Sequence, residues 1–240
     1  MPTQNPADPL PRKTLTAMQT ELAEAIDRRT VGRERCTTAI KSLSLSRRES
    51  VTEPCACVVE PSLVIVVQGA KQLLIGDHAY AYDTEHFLVT SLDLPASSQV
   101  LEASPDKPLL GLVLKLDLSL IAELISQAKL PSPGKCSAEA SVGLGRISPT
   151  LLEACSRLMA LLDEPADIPV LAPLVEREIH YKLLKSDLAA RLWQIASMSG
   201  QRQRIARAID WLKTNYAEPL HTAELAAHVQ MSTSSLHHYF

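Results

Sequence analysis

Apolar residues at the start of the chain recur at intervals of three and four. Leu15, Met18, Leu22, Ala25 and Ile26 form one such stripe, which predicts a helix from about Lys13 to Arg29. The dozen residues before it hold four prolines and are expected to be a disordered lead-in. The period then shortens. From about Thr38 to Lys115 the chain is a succession of short runs rich in Val, Leu, Ile and Tyr, separated by turn residues. Gly69 lies between "LVIVVQ" and "KQLLI", and Gly76-Asp77 follows, so both joints read as hairpins. "AYAY", "EHFLVTS", "SSQVLEA" and "LLGLVLKLD" continue the series. About seven short strands at this spacing predict a small antiparallel barrel or sandwich.

After Lys115 the helical period returns. "LSLIAELISQA" is one helix, ended by "KLPSPGK". "SPTLLEACSRLMALLDEP" is a second, with Ser148 placed as N-cap and Pro149 at the first helical position. "IPVLAPLVEREIHYKLLKSD" is a third, its core face expected through Leu174, Ile179 and Leu183, and "AARLWQIA" is a short fourth. Gly200 and its polar neighbours mark a boundary. Beyond it Ile205, Ile209, Leu212 and Tyr216 form a fresh apolar stripe, and Pro219 stops that helix. "HTAELAAHV" predicts a compact helix burying Leu225, Ala226 and Val229. Gln230 and Met231 turn the chain, and Ser232 is placed to cap a further helix from Thr233.

Two short helices joined by a turn of three or four residues make a helix-turn-helix. With Leu236 and Phe240 anchoring the second helix, Ser234, Ser235, His237 and His238 are the side chains left to meet base edges in a major groove. The same periodicity also fits an ordinary helical hairpin with exposed serines and histidines.

Composition narrows the alternatives. In the 240-residue chain apolar residues make up 46% and charged ones 21%, an ordinary globular balance. Aromatics at 4% leave the core to Leu, Val, Ile and Ala. The net charge of −3 gives no global basic field, so contact with nucleic acid has to be local. No apolar run reaches the span of a bilayer and no signal peptide opens the sequence, so the expected compartment is the cytoplasm. The five cysteines are odd in number and scattered, as expected of reduced thiols. Cys55 and Cys57 would share one face of a strand. They read as small core residues, with reaction toward electrophiles or oxidants the competing reading. His78, Glu85 and His86 lack the H-x-H spacing of a cupin metal site, and no nucleophile motif is present. Neither a metal, a cofactor nor a catalytic constellation is implied.

The segment "RIARAIDWLKTNYAEPLHTAELAAHVQMSTSSLHHYF" resembles the start of the DNA-binding domain of the AraC/XylS transcription regulators. The resemblance is carried by "IDWLKTNY", Leu225-Ala226, and the run from Met231 to Phe240. Upstream, "PSLVIVVQGAKQLLIGDHAYAYDTEHFLVTSLDLPASSQV" resembles the cupin-like effector domain of one AraC subgroup, in which a "QG-x-K" turn and a later "LP" recur. Gln230 stands where the family often has Gly, and His221 where a Ser or Thr usually caps.

The resemblance implies an α+β protein: a cupin-like antiparallel barrel followed by helices and a partial helix-turn-helix. The expected organisation is a lead-in over 1–12, an effector-sensing and dimerisation domain over 13–198, and a partial DNA-binding domain over 199–240. Family members carry two helix-turn-helix units, whereas this sequence reaches only into the first. The implied partners are double-stranded DNA, its affinity weakened by the missing unit, an unknown small-molecule effector, and a second copy in a homodimer. The alternatives are a cupin-fold enzyme and an interaction module forming mixed dimers with a complete regulator.

Overall fold

The computed structural model describes residues 14–90, 94–128, 142–193, 196, 211, 222–229 and 231–233. These fall into two compact units, one formed by 14–116 and 142–187, the other by 117–128 and the residues from Leu188 onward. The expected boundary at Gly200 lies outside the described residues.

The first unit is α+β. Helix α1 (Leu15–Thr30) is capped by Thr14, whose hydroxyl accepts from the Ala17 amide. It turns Leu22, Ala23 and Ile26 inward. Nine strands follow: β1 (Arg35–Thr37), β2 (Leu43–Arg48), β3 (Cys55–Val59), β4 (Ser62–Gln68), β5 (Ala70–Ile75), β6 (His78–Tyr82), β7 (His86–Thr90), β8 (Leu94–Glu102) and β9 (Leu109–Lys115). A tenth, β10 (Val142–Arg146), precedes α3 (Pro149–Ala160), a 3₁₀ turn at Leu161–Asp163, and α4 (Ile168–Leu183).

The strands make two antiparallel sheets instead of one closed ring. One runs β1-β2-β9-β4-β7-β10 and the other β3-β8-β5-β6. Strict alternation sorts the side chains of the six-stranded sheet. Leu43, Leu45, Leu63, Ile65, Leu112 and Leu114 are buried on the face that α1 covers. Val66, Leu88, Leu109 and Val142 point the other way and meet Leu73, Tyr82 and Val100 of the four-stranded sheet in a second core. The six-stranded sheet is therefore buried on both sides.

The two glycine joints differ. Gly76-Asp77 closes the expected hairpin, since β5 and β6 pair directly from Ile75↔His78 to Lys71↔Tyr82. The hairpin expected at Gly69 is not there. β4 pairs with β7 and β9, while β5 pairs with β6 and β8, so at Gly69 the chain crosses from one sheet to the other. The residue sits at φ +83, and a Cβ there would lie 2.5 Å from the Glu102 carbonyl oxygen. Only glycine meets both conditions.

β10 was not expected from "VGLGR", whose glycines lower strand propensity. It pairs with β7 along its whole length, and at Gly145 the ring of Phe87 and the carboxylate of Asp187 occupy the space a side chain would need.

The helices follow the pattern more closely. Ser148 caps α3 by accepting from the Leu151 amide, with Pro149 at the first position. Leu151, Leu152, Cys155, Leu158 and Met159 are its buried face. In α4, Ile179 and Leu183 are fully buried as expected, but Leu174 is 60% exposed. Ala172 takes the inward position one turn before Glu176, because the face that fits α3 is set by Ala172, Ile179 and Leu183. Arg157 of α3 pairs with Glu178 of α4, and Arg29 of α1 with Asp163.

In the second unit, α2 (Leu118–Gln127) begins at Asp117, whose carboxylate accepts from the amides of Ser119 and Leu120. Residues 189–193 and 196 are helical. A further helix, α5 (Thr222–His228), buries Leu225 and Ala226. Among the described residues no helix is long and apolar enough to cross a membrane.

Candidate functional site

The space between the two sheets is not uniformly apolar. Residues directly opposite one another on paired strands share a face, so register identifies what lines it. On the six-stranded sheet the inward set at the β1–β2 end follows from Arg35↔Ser46, Thr37↔Ser44 and Arg48↔Leu109. Since Leu109 is a core residue, Arg48 and Ser46 turn to its side and are half-buried, while Arg35, on the same face of the edge strand, is exposed. On the four-stranded sheet Lys71 stands opposite both Tyr82 and Val100, each 3% exposed in the same core. Cys57 pairs with Ala96 and packs against that core, and Cys55 pairs with Ser98. One end of the inter-sheet space thus brings Lys71 and Arg48, several hydroxyls and the Cys57 thiol beside an apolar floor, with Arg35 exposed at its edge.

Lys71 is the unusual member. It is the lysine of the "QG-x-K" turn, and the sheet crossing at Gly69 aims it inward. Removal from water pushes its ammonium below the ordinary lysine range, and Arg48 and Arg35 push it further the same way. Cys57 acts in the opposite sense. Among the described residues no carboxylate pairs with Lys71. Arg48 is engaged elsewhere, with the Glu34 carboxylate at 3.4 Å and the Glu34 carbonyl at 2.6 Å. Burial holds the Cys57 thiol above its usual value, with Lys71 drawing it down. Tyr82 is raised by burial.

The cysteines are not the core pair expected. Both lie on β3, at the edge of its sheet, with Cys55 exposed and Cys57 half-buried. An edge strand has no neighbour to cover its outer residues, which is why the short apolar run did not translate into burial. Cys155 is a true core thiol, pushed up to about 12. His86 lies 3.3 Å from Asp83, and His78 is exposed. Among the described residues no group of three or more His, Cys, Asp or Glu comes together in a way that could hold a metal.

A separate surface cleft of about 310 Å³ has Phe87 as its floor and Arg146, Lys182, Lys185 and Asp187 at its rim. Arg146 and Lys185 are exposed, so water and salt screen them.

In the second unit the expected burial of Leu225, Ala226 and Val229 is present, with Trp211 and Met231 packed against them. The Met231 amide donates to the Ala226 carbonyl at 2.8 Å, which closes the turn after α5. The Trp211 and His228 rings lie 6.1 Å apart. Thr233 is helical. Ser234, Ser235, His237 and His238 lie outside the described residues.

The sequence from residue 39 to 191 matches the family described as the AraC-type transcriptional regulator N-terminus. The match spans β2 through α4, and so includes Lys71 and Arg48 but not α1 or β1. The chain belongs to the AraC-type transcriptional regulators. No curated relative matches its sequence. Among solved structures, ToxT from Vibrio cholerae O395 bound to (E)-4-(8-methylnaphthalen-1-yl)but-3-enoic acid is 9% identical, over 85% of this chain and 76% of that one, with a TM-score of 0.45. The AraC-like transcriptional activator CuxR is 12% identical, over 81% and 69%, with a TM-score of 0.34. The AraC-type assignment rests on the sequence match.

Sequence reasoning quoted Lys71 without assigning it a role, and missed Arg35, Ser46 and Arg48. The signal was present in "LSLSRR", where polar residues alternate with buried Leu43 and Leu45.

Proposed function

We propose that this AraC-type regulator acts in the cytoplasm as a ligand-responsive, DNA-binding homodimer. A small-molecule effector occupies the inter-sheet opening at Lys71. The hairpin of α5 and the residues after it presents Ser234, Ser235, His237 and His238 to the major groove. The observation that carries this reading is Lys71, a half-buried ammonium turned toward the inter-sheet core beside Tyr82 and Val100, inside the segment that the regulator family shares. Ala226, 2% exposed against Trp211 and Met231, supports the helix-turn-helix, since a small residue lets the second helix approach.

The test is selection of duplexes from a random pool by the purified chain, followed by sequencing. A recurrent motif that fades as salt rises is the expected result. Recovery without any sequence preference would reject the DNA-reading role.

The homodimer reading draws on α4. Val170 is 68% exposed, Leu174 60%, and Leu171 and Tyr181 continue the same stripe. Burying two such side chains against a second copy is worth about 1.5–3 kcal/mol each. Replacing Leu174 by Glu is expected to weaken self-association on the order of ten- to a hundredfold, read by sedimentation across a concentration series. A variant that sediments like the parent would remove α4 from the interface.

A further inference from the structure

We infer that the effector site is an oxyanion site, in which Lys71, with Arg48 on the facing sheet, receives a carboxylate or phosphoryl group of the ligand. The inference rests on the reading of that opening as the effector site, and it names the chemistry the site selects.

Three observations lead there. First, Lys71 stands opposite Val100 and Arg48 opposite Leu109, and Val100 and Leu109 belong to one inter-sheet core, so the two cations lie on facing surfaces of the sandwich, with Arg35 exposed at the edge. Second, Lys71 lacks a counter-charge where its neighbours have one. Arg48 has Glu34, but among the described residues nothing anionic pairs with Lys71, although it is half-buried and next to core residues. Two half-buried arginines of the first unit are paired. Arg47 has Asp27 and Glu49, and Arg29 has Asp163. A desolvated ammonium facing a guanidinium is costly unless an anion joins it. Third, the surrounding groups suit an oxyanion. Ser98 offers a hydroxyl on the same face, and Ala96 beside it is small. Tyr82, Leu73 and Val100 form an apolar floor for the rest of the ligand. The carboxylates near this end, Glu34 at Arg48 and Glu60 toward Arg35, lie by the guanidiniums, and burial keeps the Cys57 thiol protonated, which leaves the Lys71 ammonium for the ligand.

Cys57 provides a reporter that needs no knowledge of the natural ligand. In a chain with Cys36, Cys55 and Cys136 replaced by Ser, Cys155 is fully buried and Cys57 is the thiol that reacts. Its alkylation rates with anionic iodoacetate and neutral iodoacetamide are compared at low salt, against the same ratio for a short peptide containing the Cys57 segment. A positive opening is expected to raise the iodoacetate-to-iodoacetamide ratio about three- to tenfold above the peptide. Lys71→Gln is expected to return the ratio to the peptide value while iodoacetamide still reacts, and Lys71→Arg to keep it high. Benzoate and inorganic phosphate are then tested as protectants in the chain with Lys71 intact. Protection by benzoate assigns a carboxylate ligand, and protection by phosphate a phosphoryl one. A ratio no higher than the peptide's, together with no protection by either anion, overturns the inference, and this arm requires no Lys71 variant to fold. DNA selection is independent of it. Loss of sequence preference would remove the DNA-reading role and leave the anion site standing, and the reverse outcome is equally distinguishable.

Discussion

Gly69→Ala is expected to destabilise the first unit by about 2–5 kcal/mol, while Gly76→Ala, also at a positive φ, is expected to cost only about 1–2 kcal/mol. The comparison isolates what Gly69 does. Both residues occupy the left-handed region, at φ +83 and +55, so both substitutions carry the backbone penalty of an L side chain there. At Gly76 a Cβ would meet nothing within 4 Å, and the cost ends with that penalty. At Gly69 the Cβ would meet the Glu102 carbonyl oxygen at 2.5 Å and the Leu109 Cα at 3.1 Å. Those are backbone atoms of β8 and β9, one in each sheet, and no rotamer change moves them away. Relief requires the sheets to part at the crossing, which would also shift Lys71 two residues on. Urea denaturation followed by far-ultraviolet circular dichroism measures both variants. Tryptophan emission is the wrong probe for this unit, since Trp193 and Trp211 both lie in the other one. Equal losses for the two variants would show that the sheets do not meet closely at residue 69.

The same crossing shows where the sequence stops being readable. Alternation tells which residues of a strand share a face, and on that level the strands from "LVIVVQ" to "LLGLVLKLD" were legible. It does not tell which face is inward when both are apolar. β4 carries Leu63 and Ile65 on one side and Val64 and Val66 on the other, so its pattern looks like a continuous run. Nor does it tell partners apart. A glycine between two apolar runs marks a hairpin or a change of sheet equally well, and the choice depends on β9, more than forty residues later, pairing with β4. The anion site inherits this difficulty. Lys71 stood inside a quoted motif, but its inward direction follows only once Tyr82 and Val100 are known as its neighbours. Leu174 fails for the opposite reason. A helical stripe was visible, but α4 has a second apolar edge, and only contact with α3 decides that Ala172, Ile179 and Leu183 form the packed one. Caps are different because they are local. Thr14, Asp117 and Ser148 satisfy amides two or three residues away, and Ser148 was placed correctly from sequence.

Leu225→Ala is expected to abolish sequence-specific DNA binding, by at least about a hundredfold, without changing the stability of the first unit. The argument begins with the length of α5. A helix of seven residues does not hold itself together in water, so its structure depends on packing. That packing is small: Leu225, Ala226 and Val229, 3%, 2% and 0% exposed, with Trp211 and Met231 around them. Truncating a buried leucine costs about 2–5 kcal/mol, a large share of what so few side chains can supply. The loss falls on the local equilibrium between docked and frayed α5, and on the reading proposed above it reduces the population able to offer Ser234, Ser235, His237 and His238 to DNA. Trp211 reports the change directly, because it lies against this cluster. Its emission is expected to move to longer wavelength in the variant under native conditions. The far-ultraviolet transition of the first unit is expected to stay within about 0.5 kcal/mol of the parent, as for independent sites. Ala226→Gly separates packing from helix propensity. It leaves Leu225 in place, costs about 1 kcal/mol, and is expected to weaken DNA binding only severalfold. If Leu225→Ala shifts Trp211 but binds the selected duplex like the parent, the hairpin is a structural element and the reading surface lies elsewhere in the chain.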